Sequence, residues 1–401
     1  MDDLRFVCIR VHSWPKTVLR LFEGAALRGA RNVGTLGGFK ENTVQALPPN
    51  AASPAVGILI FMLGGLAGAI FYLPFKKVRK WAWESYWMVY AVFGLVVVPW
   101  LLALATAPNL MAVLRAAPGS EIAYCLICGA IWGFGGLTWG LMIRYLGVGL
   151  GLAMGAGLTS AAGTLIPPML KGKDAITAMF TTPAGLVSVA AAVVSVIGIV
   201  FVGMAGMSKE KELPEEEKKK AVAEFNFKKG MMVAVFSGLM SAGMSFGLQG
   251  GPELQKLALT IAPTTSVIWA GMPVLVVVLL GGFLVNGGWC LILNLRNKTA
   301  GDYLSSNAPV LPNLAFAGLA GAIWCSQFIC FKTGEPRMGS ASYIGWAVLM
   351  ASAILFSQLL GLMLGEWKGA SKRTIGLLVT GLVLLLGSSG IAGYAGSMSG
   401  K

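Results

Sequence analysis

Histidine is nearly missing from this chain: there is one in 401 residues, His12, and it lies in an Arg-rich N-terminal stretch. That excludes HExxH metal sites and argues strongly against a proton relay or catalytic site built on imidazole. Charge is scarce as well. Asp, Glu, Lys and Arg together make up 12% of the residues, about half the ~25% share found in soluble domains. No Asp or Glu falls in the middle of an apolar run, so no carboxylate pair is available for general acid–base work. Of the six cysteines, five lie in apolar runs; Cys125-Leu126-Ile127-Cys128 has CxxC spacing, but on an expected helix with no histidine nearby, which reads as small buried side chains. Glycine-rich fragments such as Gly155-Ala156-Gly157 follow no strand and are not nucleotide loops. No basic patch is interleaved with aromatics, so a nucleic-acid partner is not expected. Neither a catalytic residue nor a metal or cofactor site is expected.

What is abundant is apolar side chain, 56% of the residues, with a mean hydropathy of +0.74. Repeated apolar runs of 18 or more residues have the length of bilayer-crossing helices. Ten spans are expected, near 56–75, 86–107, 121–143, 146–169, 184–205, 230–250, 264–293, 312–331, 340–364 and 374–396. Asn286-Gly287-Gly288 is expected to end or unwind the seventh. The fold class is therefore an all-α polytopic membrane protein. Between Gly129 and Pro168 the glycines fall four apart, as in Gly129/Gly133, Gly136/Gly140 and Gly147/Gly151/Gly155. That spacing stacks them on one helix face. In lipid such faces let backbones approach closely, so a tightly packed helix pair is expected there.

Residues 1–54 differ from the rest and hold no apolar core long enough for a signal peptide. They read as a disordered extension or as the product of an early start codon, with a short surface helix near Thr17–Leu27 as the alternative. The one long charged connector, Ser208–Lys229, separates residues 55–207 from 230–401, five spans each. The halves echo one another. Gly129-Ala130-Ile131-Trp132 in the third span recurs as Gly321-Ala322-Ile323-Trp324 in the eighth. Arg144 is matched by Arg337, and Ala67–Phe71 resembles Ala242–Phe246. Each match pairs span n with span n+5. An odd number of spans per repeat makes the halves cross in opposite senses, giving two inverted five-helix repeats, an arrangement found in alternating-access transporters. Alternate connectors carry 17 and 6 Lys and Arg, which puts the richer set, including Ser208–Lys229, in the cytoplasm. Both termini then lie outside, in conflict with the seven cations of the N-terminal stretch.

From Tyr72-Leu-Pro-Phe-Lys-Lys-Val-Arg-Lys-Trp-Ala-Trp-Glu84 onward the chain resembles the bacterial L-rhamnose–proton symporter family of the drug/metabolite transporter superfamily. Further matching stretches are Trp132-Gly133, Arg144–Gly147, Gly163–Leu165, Phe225–Gly230, Ser241–Phe246, Trp324, Gln327-Phe328, Tyr343–Trp346 and Glu366-Trp367, covering roughly residues 55–396. The resemblance implies ten spans, a multi-pass protein of the bacterial inner membrane, and uptake of a 6-deoxyhexose driven by the proton gradient. The chain departs from the family at Gly135-Gly136-Leu137 and Leu248–Gly251, which leaves the identity of the sugar open.

A sugar site needs amides or hydroxyls for the sugar's own hydroxyls and flat rings for its C–H faces. Polar groups inside a span are costly unless they are paired or face a cavity. Together these criteria select Trp132, Trp139, Gln249, Trp324, Gln327, Tyr343 and Trp346 as substrate-binding candidates, against the plainer roles of helix packing and interhelical hydrogen bonding. Without a membrane histidine, proton coupling falls to carboxylates near span ends, in the order Glu335, Glu84, Glu366. Glu335 adjoins Arg337. Glu84 follows the Lys76–Lys80 run, a cytoplasmic anchor, and is expected to pair with Lys80. The expected partners are a sugar, protons and the lipid bilayer. A drug/metabolite-type exporter or an uncoupled facilitator is the alternative function. An integral-membrane enzyme is disfavoured by the missing catalytic groups. The oligomeric state is not legible, because glycine faces serve internal packing as readily as dimers.

Overall fold

The computed structural model describes residues 53–170, 173–212, 225–338 and 345–399. Among these residues the only regular structure is helical. The principal helices are α1 (Pro54–Ile70), α2 (Trp83–Thr106), α3 (Gly119–Leu146), α4 (Val148–Leu170) and α5 (Pro183–Glu212), then α6 (Phe227–Gln249), α7 (Met272–Asn297), α8 (Val310–Gly334), α9 (Gly345–Met363) and α10 (Lys372–Ser399). Among the described residues, nine helices are long and apolar enough to cross a bilayer, and α4 adds a shorter apolar segment, Gly149–Ala162. The protein is thus a multi-pass helical membrane protein. The N-terminal stretch and its alternative surface helix lie outside the described residues.

Local sequence explains the helix ends. Pro54 opens α1 at a position where its missing N–H costs nothing. Asn226 caps α6 by accepting the Lys229 N–H at 3.0 Å. Gly147 ends α3 at φ 87°, a conformation that a side chain resists. Within α2 a π-helical turn at Val92–Val97 comes just before Pro99. Proline cannot donate and crowds the carbonyl four residues back, and a wider turn there relieves both.

The helices pack by close backbone approach. α1 lies against α8 and α9; α3 against α6 and α7; α2 against α7 and α8. α4 contacts α5, α6 and α9, while α10 packs on α5 and α9. A Cβ on Gly129 would strike the Val278 carbonyl of α7, and one on Gly321 the Tyr90 carbonyl of α2. Outward-facing side chains such as Leu59, Leu63, Leu101 and Val383 are exposed and apolar, as lipid contact requires. The α5–α10 pair is latched by Glu212. Its carboxylate accepts the Ser371 N–H at 3.0 Å and the hydroxyls of Ser371 and Thr374, both at 2.8 Å. These bonds, the Ser371 N–H first, hold the Glu212 carboxyl down to about 2.

Three expectations are corrected. α7 is continuous through Asn286-Gly287-Gly288. In water that triplet favours a turn, but here the Asn286 amide donates to Gly282 O at 3.0 Å and to Gly133 O at 3.1 Å, and accepts from Trp87 Nε1 at 3.1 Å. The Asn side chain therefore ties α2, α3 and α7 together instead of competing for its own backbone. Lys80 does not pair with Glu84: it has φ 58°, so no helix joins the two, and its ammonium donates to Asn307 O at 3.0 Å. The helix preceding the charged connector extends past Ser208 to Glu212, because the latch to α10 supports the extra turn.

Candidate functional site

An aromatic cluster occupies the middle of the bundle. Trp132 of α3 and Trp324 of α8 stack with ring centroids 4.8 Å apart at 27°. Phe328 packs on Trp324 at 4.8 Å, and Tyr90 of α2 meets it edge-on at 6.0 Å. A cavity of about 70 Å³ opens beside this stack. Phe71, Trp87, Trp139 and Trp346 complete its aromatic lining, and Leu152, Ala156, Met244 and Met350 supply aliphatic surface. Among the described residues no charged side chain lines it.

The polar groups at the cavity are few. Gln327 reaches it from α8 across Gly68 of α1, where any Cβ would collide with the amide. Its side chain forms no hydrogen bond recorded among the described residues and is 7% exposed. Thr159 of α4 lines the cavity but is committed to Gly155 O at 2.8 Å and Gly238 O at 3.1 Å. Ser241 of α6 and the Trp346 ring nitrogen are buried at the cavity without a partner among the described residues. Flat rings with a few uncommitted hydrogen-bonding groups suit a neutral polyol.

Of the expected substrate residues, the structure gathers Trp132, Trp139, Trp324, Gln327 and Trp346 around this one cavity. Gln249 does not line it; its amide turns back on Ser245, donating to the carbonyl at 3.2 Å and to the hydroxyl at 2.7 Å. Tyr343 lies outside the described residues. The carboxylates sit away from the cavity, each buried at a helix end. Glu335 accepts the Lys332 ammonium at 2.7 Å, with the two side chains 9% and 2% exposed. Lys332 also donates to Leu248 O, at the end of α6, at 3.2 Å. Glu84 accepts from Asn297 at 2.8 Å and from Thr299 at 3.0 Å. Glu366 accepts the Gly149 N–H at 2.9 Å, while Lys209 is buried over the rings of Phe225 and Trp367.

Sequence reasoning missed Lys332 and Ser241. Lys332 was assigned to a connector; its spacing of three from Glu335 on one helix face was the available signal. Ser241 immediately precedes the Ala242–Phe246 stretch that the repeat had already marked.

A multi-pass bundle that closes an uncharged, aromatic cavity at its centre and holds its charges at the helix ends is built to pass a solute rather than to transform one. Residues 50–398 match the family model described as L-rhamnose-proton symport protein. The chain is 32% identical to the L-rhamnose-proton symporter of Cronobacter sakazakii over 342 residues, covering 84% of this chain and 96% of that protein. It is 31% identical to the protein of the same name from Klebsiella pneumoniae, and 30% to that from Escherichia coli, each match covering 84% of this chain and 97% of the relative. No solved structure matches the chain. The chain belongs to the L-rhamnose-proton symport protein family, and it is a transporter, not an enzyme.

Proposed function

We propose that this chain carries L-rhamnose or a closely related 6-deoxyhexose, together with protons, into the cell across a bacterial inner membrane. The observation that carries the reading is the central cavity, where stacked Trp132 and Trp324 offer apolar faces beside the uncommitted Gln327 amide. Trp139 and Trp346 complete the sugar-facing surface.

We read α4 as a tenth crossing and the bundle as two inverted repeats, α1–α5 and α6–α10. The helix contacts support this. Exchanging each helix for the fifth one along turns the α1–α8 contact into α6–α3, α1–α9 into α6–α4, α2–α8 into α7–α3 and α4–α5 into α9–α10, and all of these pairs pack. The contacts α2–α7, α4–α9 and α5–α10 map onto themselves. On this reading Trp132 and Trp324 are repeat equivalents that meet on the pseudo-twofold axis. The site therefore lies between the halves, where both access states can reach it.

For coupling we assign Glu335 first, ahead of Glu84 and Glu366. Its partner is the buried Lys332 ammonium at 2.7 Å on the same helix end, whereas Glu84 is held by two neutral donors, and the contacts of Glu366 include the Gly149 N–H. Protonating Glu335 removes the charge that holds Lys332 and frees it from that partner. The test is uptake by proteoliposomes. An inward proton gradient should drive L-rhamnose accumulation, and a protonophore should abolish it. Uptake that equilibrates without proton movement would replace symport with facilitation, and no saturable L-rhamnose uptake would remove the sugar assignment.

A further inference from the structure

We propose that the Ser241 hydroxyl is a substrate-recognition group, meeting one hydroxyl of the bound sugar from the α6 side of the cavity; the inference rests on the sugar-transport reading above. Hydroxyls inside these helices are normally absorbed by their own backbone. Thr159 bonds Gly155 O, Ser352 bonds Val348 O and Ser389 bonds Leu385 O, each four residues back. The corresponding carbonyl for Ser241 is that of Ser237, and Ser241 does not use it. Its oxygen lies beside Gly135 of α3, where a Cβ would crowd it at 2.7 Å. The Gly135 carbonyl is already taken by the Ser237 hydroxyl at 2.8 Å and by Thr138 at 2.9 Å.

Ser241 is thus 5% exposed and lines the cavity, with its hydroxyl unpartnered among the described residues. A buried hydroxyl left unpaired destabilises the protein that carries it, and a ligand that supplies the missing partner recovers that loss on binding. A sugar hydroxyl both donates and accepts, so it fits a serine in either sense. Ser241 enters beside the helix that bears Trp132, whereas Gln327 sits on the helix that bears Trp324. The two polar groups therefore come from different helices, and two such contacts can fix the sugar's orientation as well as its presence.

The test uses purified full-length protein in proteoliposomes, with L-rhamnose and its 2-, 3- and 4-monodeoxy analogues as probes. Ser241→Ala should raise KM for L-rhamnose about tenfold with little change in kcat, the pattern of a binding contact kept through the cycle. It should leave KM unchanged for the one analogue that lacks the hydroxyl Ser241 meets, while raising it for the others. Its thermal unfolding midpoint should stay level or rise, because the variant removes an unsatisfied group rather than a contact. An equal effect on every sugar, no effect on any, or a lowered midpoint with unchanged sugar discrimination overturns the assignment. If the unmodified protein shows no saturable L-rhamnose uptake, the sugar reading fails first and takes the ligand of Ser241 with it.

Discussion

Lys332 is the most informative residue to remove. Its ammonium lies 2.7 Å from the Glu335 carboxylate, and the two side chains are 2% and 9% exposed. Lys332→Met keeps the aliphatic stem that packs against Gly271 and deletes only the charge, so Glu335 is left buried without its counter-ion. Breaking one side of such a pair costs about 3–5 kcal/mol, two to three and a half decades in the folding equilibrium. The reverse change, Glu335→Gln, should cost less, because Lys332 retains the Leu248 carbonyl at 3.2 Å. The double variant Lys332→Met/Glu335→Gln should regain most of the loss, since a neutral pair carries no desolvated charge. Equilibrium unfolding in mixed detergent micelles, analysed as a double-mutant cycle, reads all three. Losses that simply add in the double variant would show that the pair is not coupled, and the argument for Glu335 as the proton-linked group would fall with it. The functional arm uses the same variants. Glu335→Gln should keep sugar counterflow exchange while losing sugar-dependent alkalinisation of the medium.

Other expectations follow from particular contacts. Gly155→Leu should abolish folding or transport, because even a Cβ there would press on Trp139 and Met142 of α3 at 2.8 Å; normal uptake by this variant would mean the face is open to lipid. Gln327→Ala should weaken L-rhamnose binding by roughly 1–3 kcal/mol by leaving a sugar hydroxyl unpaired, measured by calorimetry on a variant with an unchanged unfolding midpoint. Glu212→Gln should lower the unfolding midpoint near neutral pH and converge with the unmodified protein in acid. The folded carboxyl sits near 2, below its ordinary value of 4.5, so its contribution is complete above 4.5 and fades as pH falls toward 2; a gap between the two proteins that stays constant with pH would exclude the latch.

Much of the bundle was legible because a membrane imposes long apolar runs, and those runs locate helices without knowledge of their neighbours. The four-residue glycine spacing correctly marked close faces, but not which faces meet. That Gly129 approaches Val278 and Gly321 approaches Tyr90 is tertiary information. The errors share one cause. Asn286-Gly287-Gly288 and Lys80/Glu84 were judged by local propensity, and in each case a distant group decided the outcome: Gly133 and Trp87 for the first, Asn307, Asn297 and Thr299 for the second. At the site, the filter for aromatic and amide side chains found five residues that line the cavity. It passed over Ser241 because a serine on a helix is ordinarily satisfied by its own backbone, and only coordinates reveal that this one is not.

The separation of charge from cavity constrains how proton and sugar can be linked. Among the described residues no carboxylate lines the cavity, so on the proposed assignments the proton acts other than through a direct contact with the sugar. On the assignments proposed above, both functions converge on α8. Gln327 and Lys332 are five residues apart on this one helix, about 7.5 Å along its axis, with Trp324 one turn before and Glu335 one turn after. Lys332 ties the end of α8 to the end of α6, and α6 carries Ser241 to the cavity. Releasing the Lys332–Glu335 contact leaves the Leu248 carbonyl as the remaining partner of the Lys332 ammonium, so a change at Glu335 reaches the junction of α8 and α6, the two helices that present the uncommitted amide and hydroxyl. On this argument coupling is mechanical, carried by helix position, and the two sets of variants should separate cleanly. Changes at Gln327 alter sugar affinity without altering the protons moved per sugar, and Glu335→Gln does the converse. A Gln327 variant that altered proton stoichiometry would place the coupling group in contact with the sugar after all.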